Sequence, residues 1–216
     1  DIKLINKFAK INEKNIVLIK GSGFDKTIFN YNPEIKQKPI VCFASRLLIH
    51  KGVNEYIDAI KILRNKNFNH EFILAGDIDY DNPTSINQET ILKWEKDGLI
   101  NFLGHIKNMP ELLKKINIFV LPSYREGFPK VLLEVSSIGR AIVTTDVPGC
   151  KEIVIHNKTG LLVPMKDSVK LSEAIQKLLL DSTYRYNLGK NGSIFVNKHF
   201  SLDKIIQQHI NLYLSM

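Results

Sequence analysis

Ile116-Asn117-Ile118-Phe119-Val120-Leu121-Pro122-Ser123-Tyr124-Arg125-Glu126-Gly127-Phe128-Pro129-Lys130-Val131-Leu132-Leu133-Glu134 is the stretch on which the fold turns. Its opening run, Ile116 to Leu121, reads as a strand buried in a parallel sheet. A turn rich in polar residues and glycine follows. Pro129 suits the first position of a helix, where a missing N–H costs nothing. Leu132, Leu133, Val135 and Ile138 supply that helix with one apolar face. Glu126 then lies in the turn at the carboxyl end of a strand. Glu134 lies on the helix, roughly 7–8 Å further along at 1.5 Å per residue. Between them are the free N–H groups of a helix start, which favour an anion. Two carboxylates flanking such a helix end suit a ligand made of a sugar, a diphosphate and a second sugar.

Outward from this stretch, strands alternate with helices. Upstream, Ile40-Val41-Cys42-Phe43-Ala44 reads as a strand, and Val53 to Arg64 as a helix with Tyr56, Ile57, Ile60 and Leu63 turned inward. Between them, Ser45 to Gly52 forms a loop carrying Arg46 and Lys51. At the carboxyl edge of an open α/β sheet two such cations would neutralise a diphosphate; the lesser reading is a pair of solvated charges. Glu71 to Asp77 is a second strand, ending in Gly-Asp. Ile91 to Lys96 belongs to a helix, Ile100 to Ile106 is a third strand with its exit, and Met109 to Lys115 is a short helix. Downstream come a strand at Ala141–Thr144, a turn at Asp146–Gly149, and a strand at Gly160–Val163. Three helices close the chain: Ser168–Leu180 with Ser168 as its cap, Thr183–Lys198, and Leu202–Leu214 capped by Ser201. The pattern predicts an α/β fold, a doubly wound parallel sheet of about six strands covered on both faces.

The amino-terminal part is less regular. Residues 1–15 are polar and Lys-rich and read as a helix, and Ile16 to Ile19 as a short strand. Gly21-Ser22-Gly23 is a turn rather than a dinucleotide fingerprint, because position 26 is Lys and no helical pattern opens there. Phe24 to Pro39, with Asn32-Pro33 and Lys38-Pro39 as breakers, reads as a linker.

Composition sets the outer bounds. The 216 residues are 44% hydrophobic and 24% charged, enough for one domain with a sizeable core. No apolar run approaches the ~18 residues of a membrane span. The chain opens on Asp1, as a processed product or a piece of a longer protein would. Cys42 in a strand and Cys150 in a loop have no metal-ligand spacing, which points to reduced thiols in a cytoplasmic protein. The formal charge of +8 suits phosphate-bearing ligands or an anionic membrane surface. Scattered cations without interleaved aromatics argue against nucleic acid. Asp77, Asp79 and Asp81 alternate, but Asn82 stands where a calcium loop needs Gly. No Gly-x-Ser-x-Gly, Walker loop or His-Glu-x-x-His occurs.

The wording of the central stretch also resembles a known family. Glu126 and Glu134 with seven residues between them, Gly127-Phe128 after the first, Leu132-Leu133 before the second, and Thr144-Thr145-Asp146-Val147-Pro148-Gly149-Cys150-Lys151-Glu152 beyond are similar to the signature of retaining glycosyltransferases of family 4, of GT-B type. The resemblance runs from about Ile16 to Met216. It is strongest to enzymes that build capsular and O-antigen polysaccharides.

The resemblance implies a carboxy-terminal donor-binding half, Rossmann-like, with carboxy-terminal helices. Residues 1–39 would be the junction from an amino-terminal acceptor domain, and 40–216 the nucleotide-sugar domain. Glu126, Arg46 and Lys51 would be catalytic: Glu126 meets the donor sugar, and the two cations its phosphates. Glu134 would hold the ribose. Gly127, Phe128, Pro129 and Lys130 would line the donor site, and Gly104, His105 and Ile106 would approach the base, although His105 reads equally as an exposed loop residue. The family transfers a sugar from a nucleotide diphosphate, here a UDP-sugar, with retention and without an essential metal or cofactor. Its acceptors are glycans, often on a polyprenyl diphosphate, at the inner face of the cell membrane. Without an acceptor domain this chain would bind donor rather than turn over. Two other classes stay open on the residues alone: a non-catalytic nucleotide-binding module and an NAD-dependent oxidoreductase.

Overall fold

A computed structural model describes residues 16–35 and 37–215. The helix expected over residues 1–15 lies outside them. Six strands form one parallel sheet: β1 (Ile40–Ala44), β2 (Glu71–Ala75), β3 (Asn101–Gly104), β4 (Ile118–Leu121), β5 (Ala141–Thr145) and β6 (Leu161–Val163). Their spatial order is β3-β2-β1-β4-β5-β6. The α-helices are α1 (Val53–Asn65), α2 (Gln88–Lys96), α3 (Met109–Lys115), α4 (Lys130–Ile138), α5 (Cys150–Ile153), α6 (Ser168–Leu180), α7 (Ser182–Phe200) and α8 (Leu202–Leu214). The sheet is the predicted Rossmann-like, doubly wound one. Every residue of β4 and β5 is buried, as expected of central strands covered on two faces.

The strand order places the chain's reversal point between β1 and β4. Val41 pairs with Ile118 and Cys42 with Phe119, strands far apart in sequence. In open α/β sheets a ligand crevice opens at the carboxyl ends of such a pair. The loops Ser45–Gly52 and Pro122–Pro129 leave β1 and β4 there.

On one face α1 packs against α6; on the other α4 packs against α7. The α4–α7 contact depends on small residues. A Cβ on Gly189, in mid-helix, would lie 2.2 Å from the carbonyl oxygen of Gly139. Glycine weakens a helix interior by roughly 0.5–1 kcal/mol, here in exchange for close approach.

Several local expectations are corrected. Ile16 to Ile19 forms no strand: these residues find no ladder among the described residues, and Val17 and Leu18 are exposed. The cap of α6 is Asp167, whose carboxylate accepts from the Lys170 N–H; Ser168 is already inside the helix. Ser201 does occupy the cap position of α8, but its hydroxyl makes no capping bond. The Leu202 N–H donates instead to the Phe24 carbonyl. Cys150 begins α5 and is fully buried.

The segment read as a linker is irregular but fastened down. Phe24 and Phe29 are buried in the core. Glu34 forms a buried ion pair with Arg185 of α7 at 3.0 Å. Arg140, also buried, donates to the carbonyls of Asn32 and Leu113.

Candidate functional site

Three loops interlock at the carboxyl edge of the sheet. The Tyr124 N–H donates to the His50 carbonyl, tying the β4 exit to the β1 exit at 2.9 Å. Gly52, at φ 81°, lies so close to Pro122 that a Cβ would stand 2.2 Å from its carbonyl oxygen. From the β5 side, Gly149 at φ 86° presses on the same turn; a Cβ there would meet the Gly127 and Glu126 carbonyl oxygens at 2.5 and 2.8 Å. Only glycine fits a left-handed backbone at this separation. The Thr145 hydroxyl adds a bond to the Ser123 carbonyl.

This clasp holds Lys51 and Glu126 together. Lys51 Nζ is 2.7 Å from Glu126 Oε1, with the side chains only 16% and 10% exposed. The Cys150 thiol lies near enough to feel both charges. Burial pushes it up to about 11, so it is protonated and inert at neutral pH.

A cavity of about 360 Å3 opens at the same carboxyl edge of the sheet, and neither Lys51 nor Glu126 is among its lining residues; its size is within the roughly 300–1,000 Å3 of small-molecule sites. Arg46 and Ser45 line it from the β1 exit, Gly76 and Asp77 from the β2 exit, His105 and Ile106 from the β3 exit, and Glu134 from α4. Gly76 permits the convergence, since a Cβ there would fall 1.7 Å from the Ser45 carbonyl oxygen. Arg46 is exposed, with its nearest carboxylate, Asp79, at 3.7 Å. His105 Nδ1 and Asp77 Oδ2 are 2.8 Å apart at the rim. Glu134 is largely buried, and burial raises its carboxyl above the ordinary range; Lys130, 3.8 Å away, offsets part of that. A desolvated carboxylate facing a cavity is a strong acceptor for ligand hydroxyls.

The remaining candidates are placed as follows. Gly127 is exposed, and nothing lies within 4 Å of where its Cβ would be. Pro129 is the N-cap of α4, one position earlier than the sequence reading placed it, and Lys130 is the first helical residue. The Phe128 ring packs edge-on against Phe200, 5.2 Å between centroids, and over Gly21, so it braces the turn from behind. Gly104 does not line the cavity; its carbonyl accepts from the Gly76 N–H. Val131, Met109, Asp77 and Phe29 also line it and were not foreseen as site residues. Val131 was legible, being three residues before Glu134 on the same helix face. Asp77 was legible too, as the residue leaving β2. Phe29 carried no signal, coming from an irregular segment.

The edge offers the cations of Arg46 and Lys51, a helix start, and the carboxylates of Glu126 and Glu134. Comparison with known proteins adds the family. The family described as "Glycosyl transferases group 1" matches residues 24–194. The N,N'-diacetylbacillosaminyl-diphospho-undecaprenol alpha-1,3-N-acetylgalactosaminyltransferase of Campylobacter jejuni is 36% identical over 207 residues, covering 96% of this chain and 53% of that protein. The capsular polysaccharide biosynthesis glycosyltransferase CapM of Staphylococcus aureus is 27% identical over 183 residues, covering 85% of this chain and 48% of that one. The solved structure of Anabaena HepE in complex with UDP superposes with a TM-score of 0.79 at 22% identity, covering 90% of this chain and 56% of that one. The chain spans about half the length of the curated relatives it matches. With a Rossmann-like sheet of the GT-B kind and a family match over most of its length, this chain belongs to the group 1 glycosyl transferases.

Proposed function

We propose that this chain is the donor-binding half of a retaining glycosyltransferase that moves a sugar from UDP to a growing bacterial surface glycan, with no essential metal. The observation that carries the reading is the meeting of Arg46 and Glu134 in one cavity, at the sheet edge that also carries the Lys51–Glu126 pair. A nucleoside diphosphate sugar laid along this edge meets each part in turn. Ile106 and His105 border the base, Glu134 accepts from the ribose hydroxyls, and Arg46 and Lys51 offset the phosphates. The N–H groups around Gly127 to Lys130 and the Glu126 carboxylate face the transferred sugar. Charge builds up on the leaving diphosphate and at the anomeric carbon as their bond breaks. Cations and a carboxylate already in place around the seated donor lower that barrier as the bond breaks.

The UDP in the HepE structure and the polyprenyl carrier in the C. jejuni enzyme's name support UDP as donor nucleotide and a lipid-linked glycan as acceptor. An acceptor domain would come from the rest of a longer protein, with residues 1–39 as the junction. Among the described residues no helix is long and apolar enough to cross a membrane. The charge of +8 suits attachment to an anionic membrane surface, and two free buried cysteines suit the cytoplasm.

Calorimetric titration of the chain with UDP, GDP, ADP and NAD tests the reading. UDP is expected to bind best and uridine far more weakly. A preference for NAD would point to an oxidoreductase, and uridine binding as tightly as UDP would remove the diphosphate site.

A further inference from the structure

From the contact between Lys51 and Glu126 we infer that the two donor subsites are coupled by partner exchange: the diphosphate draws Lys51 away from Glu126, and the freed carboxylate is then satisfied by the sugar's hydroxyls. The inference rests on the donor-site reading above. Its starting point is the 2.7 Å ion pair, whose members are almost out of solvent. In the free chain the cation meant for phosphate is already bound to the carboxylate meant for sugar.

The backbone cannot relieve this conflict. Gly52 against Pro122, Gly149 against Gly127, and the Tyr124–His50 bond fix both loops to each other. The exchange therefore runs through the Lys51 side chain, which has a flexible stem and three donors. Arg46 differs. It is 62% exposed and its nearest carboxylate is 3.7 Å away, so it meets phosphate with no strong bond to give up. A diphosphate near Lys51 also repels the Glu126 carboxylate. Separating a buried pair leaves an uncompensated charge behind. UDP alone leaves Glu126 in that state, whereas a UDP-sugar brings hydroxyl donors to it. Lys51 is thus a positioning residue for Glu126 as well as a phosphate ligand, and the sugar subsite opens only once the diphosphate is seated.

The test is titration of the 216-residue chain with UDP and with uridine, using Glu126→Gln, Lys51→Met, the double variant and Arg46→Ala. Glu126→Gln keeps the shape and releases Lys51. It should tighten UDP binding about fivefold or more, the lower end of ordinary coupling between sites, and leave uridine unchanged. The gain should vanish in Lys51→Met/Glu126→Gln. Glu126→Asp, which lengthens the pair, should shift UDP affinity in the same direction, so that the result does not hang on one variant's folding. Unchanged or weaker UDP binding in both Glu126 variants, with Arg46→Ala still weakening it, would overturn the exchange and leave the donor site standing. No UDP binding to the unaltered chain would overturn the donor-site reading, and the exchange with it.

Discussion

Glu134 shows what burying one carboxyl group costs the free chain. Burial raises its carboxyl above the usual range, and Lys130 only partly counters this. A carboxyl raised on folding favours the protonated folded form. Its stability contribution is full below the unfolded value and is lost as pH rises through the raised folded value. The ionised form of Glu134 therefore works against the unliganded fold. Glu134→Gln is expected to keep or raise the melting temperature at pH 7 while weakening UDP binding about tenfold, the scale of one lost charged hydrogen bond. A variant that melts lower and binds UDP as before would make Glu134 a structural residue. Sequence alone found Glu134 and its helix, because spacing within a helix fixes a face. It did not reveal the cost of burial, which depends on what covers that face.

At the scale of elements, the packing of α7 on α4 is decided by a single missing methyl group. Alanine at Gly189 would gain about 1 kcal/mol in helix propensity. It would also place a Cβ 2.2 Å from the Gly139 carbonyl oxygen, backbone that cannot rotate away. Overpacking of this kind costs about 1–3 kcal/mol, so the clash outweighs the gain. Gly189→Ala is expected to lower the melting temperature by several degrees, at about 2–4 °C per kcal/mol for a domain of this size. A higher melting temperature would show that α7 can slide. The existence of α7 was legible from its apolar pattern; its close approach to α4 was not, since nothing local marks which glycines face another backbone. The caps show the same division. Asn87 and Asn108 cap α2 and α3 with their own side chains. The first N–H of α8 is taken by Phe24, nearly 180 residues away in sequence, and no capping rule could have found it.

For the whole molecule, the sharpest question is where the folding unit starts. A strand-based boundary would place it at Ile40, the first residue of β1. The structure argues for an earlier start, since Phe24 and Phe29 are in the core and Glu34 is the buried partner of Arg185. Loss of a buried Phe costs about 3–5 kcal/mol, and removal of one partner of a buried pair a similar amount. Together these approach or exceed the roughly 5–15 kcal/mol that holds a domain together. A chain cut to begin at residue 40 is expected to show no cooperative thermal transition, in contrast to the full chain. Cooperative melting of the shorter piece would return residues 24–39 to the status of a linker. The family match, which begins at residue 24, agrees with the longer unit.

The sequence by itself determined the elements and the chemistry they carry. Alternating apolar runs and helical faces specified a parallel α/β sheet, because burial on two faces demands continuous apolar strands. The wording from Leu121 to Glu134 specified a strand, a turn, a helix and two carboxylates, and through them the family. Tertiary structure alone decided neighbourhood. β1 lies beside β4, so Lys51 meets Glu126 across 75 positions of chain. Neither local spacing nor propensity contains that distance, since strand order is set by how the whole sheet buries its faces. The ion pair, and any exchange it makes with a ligand, follows from that order.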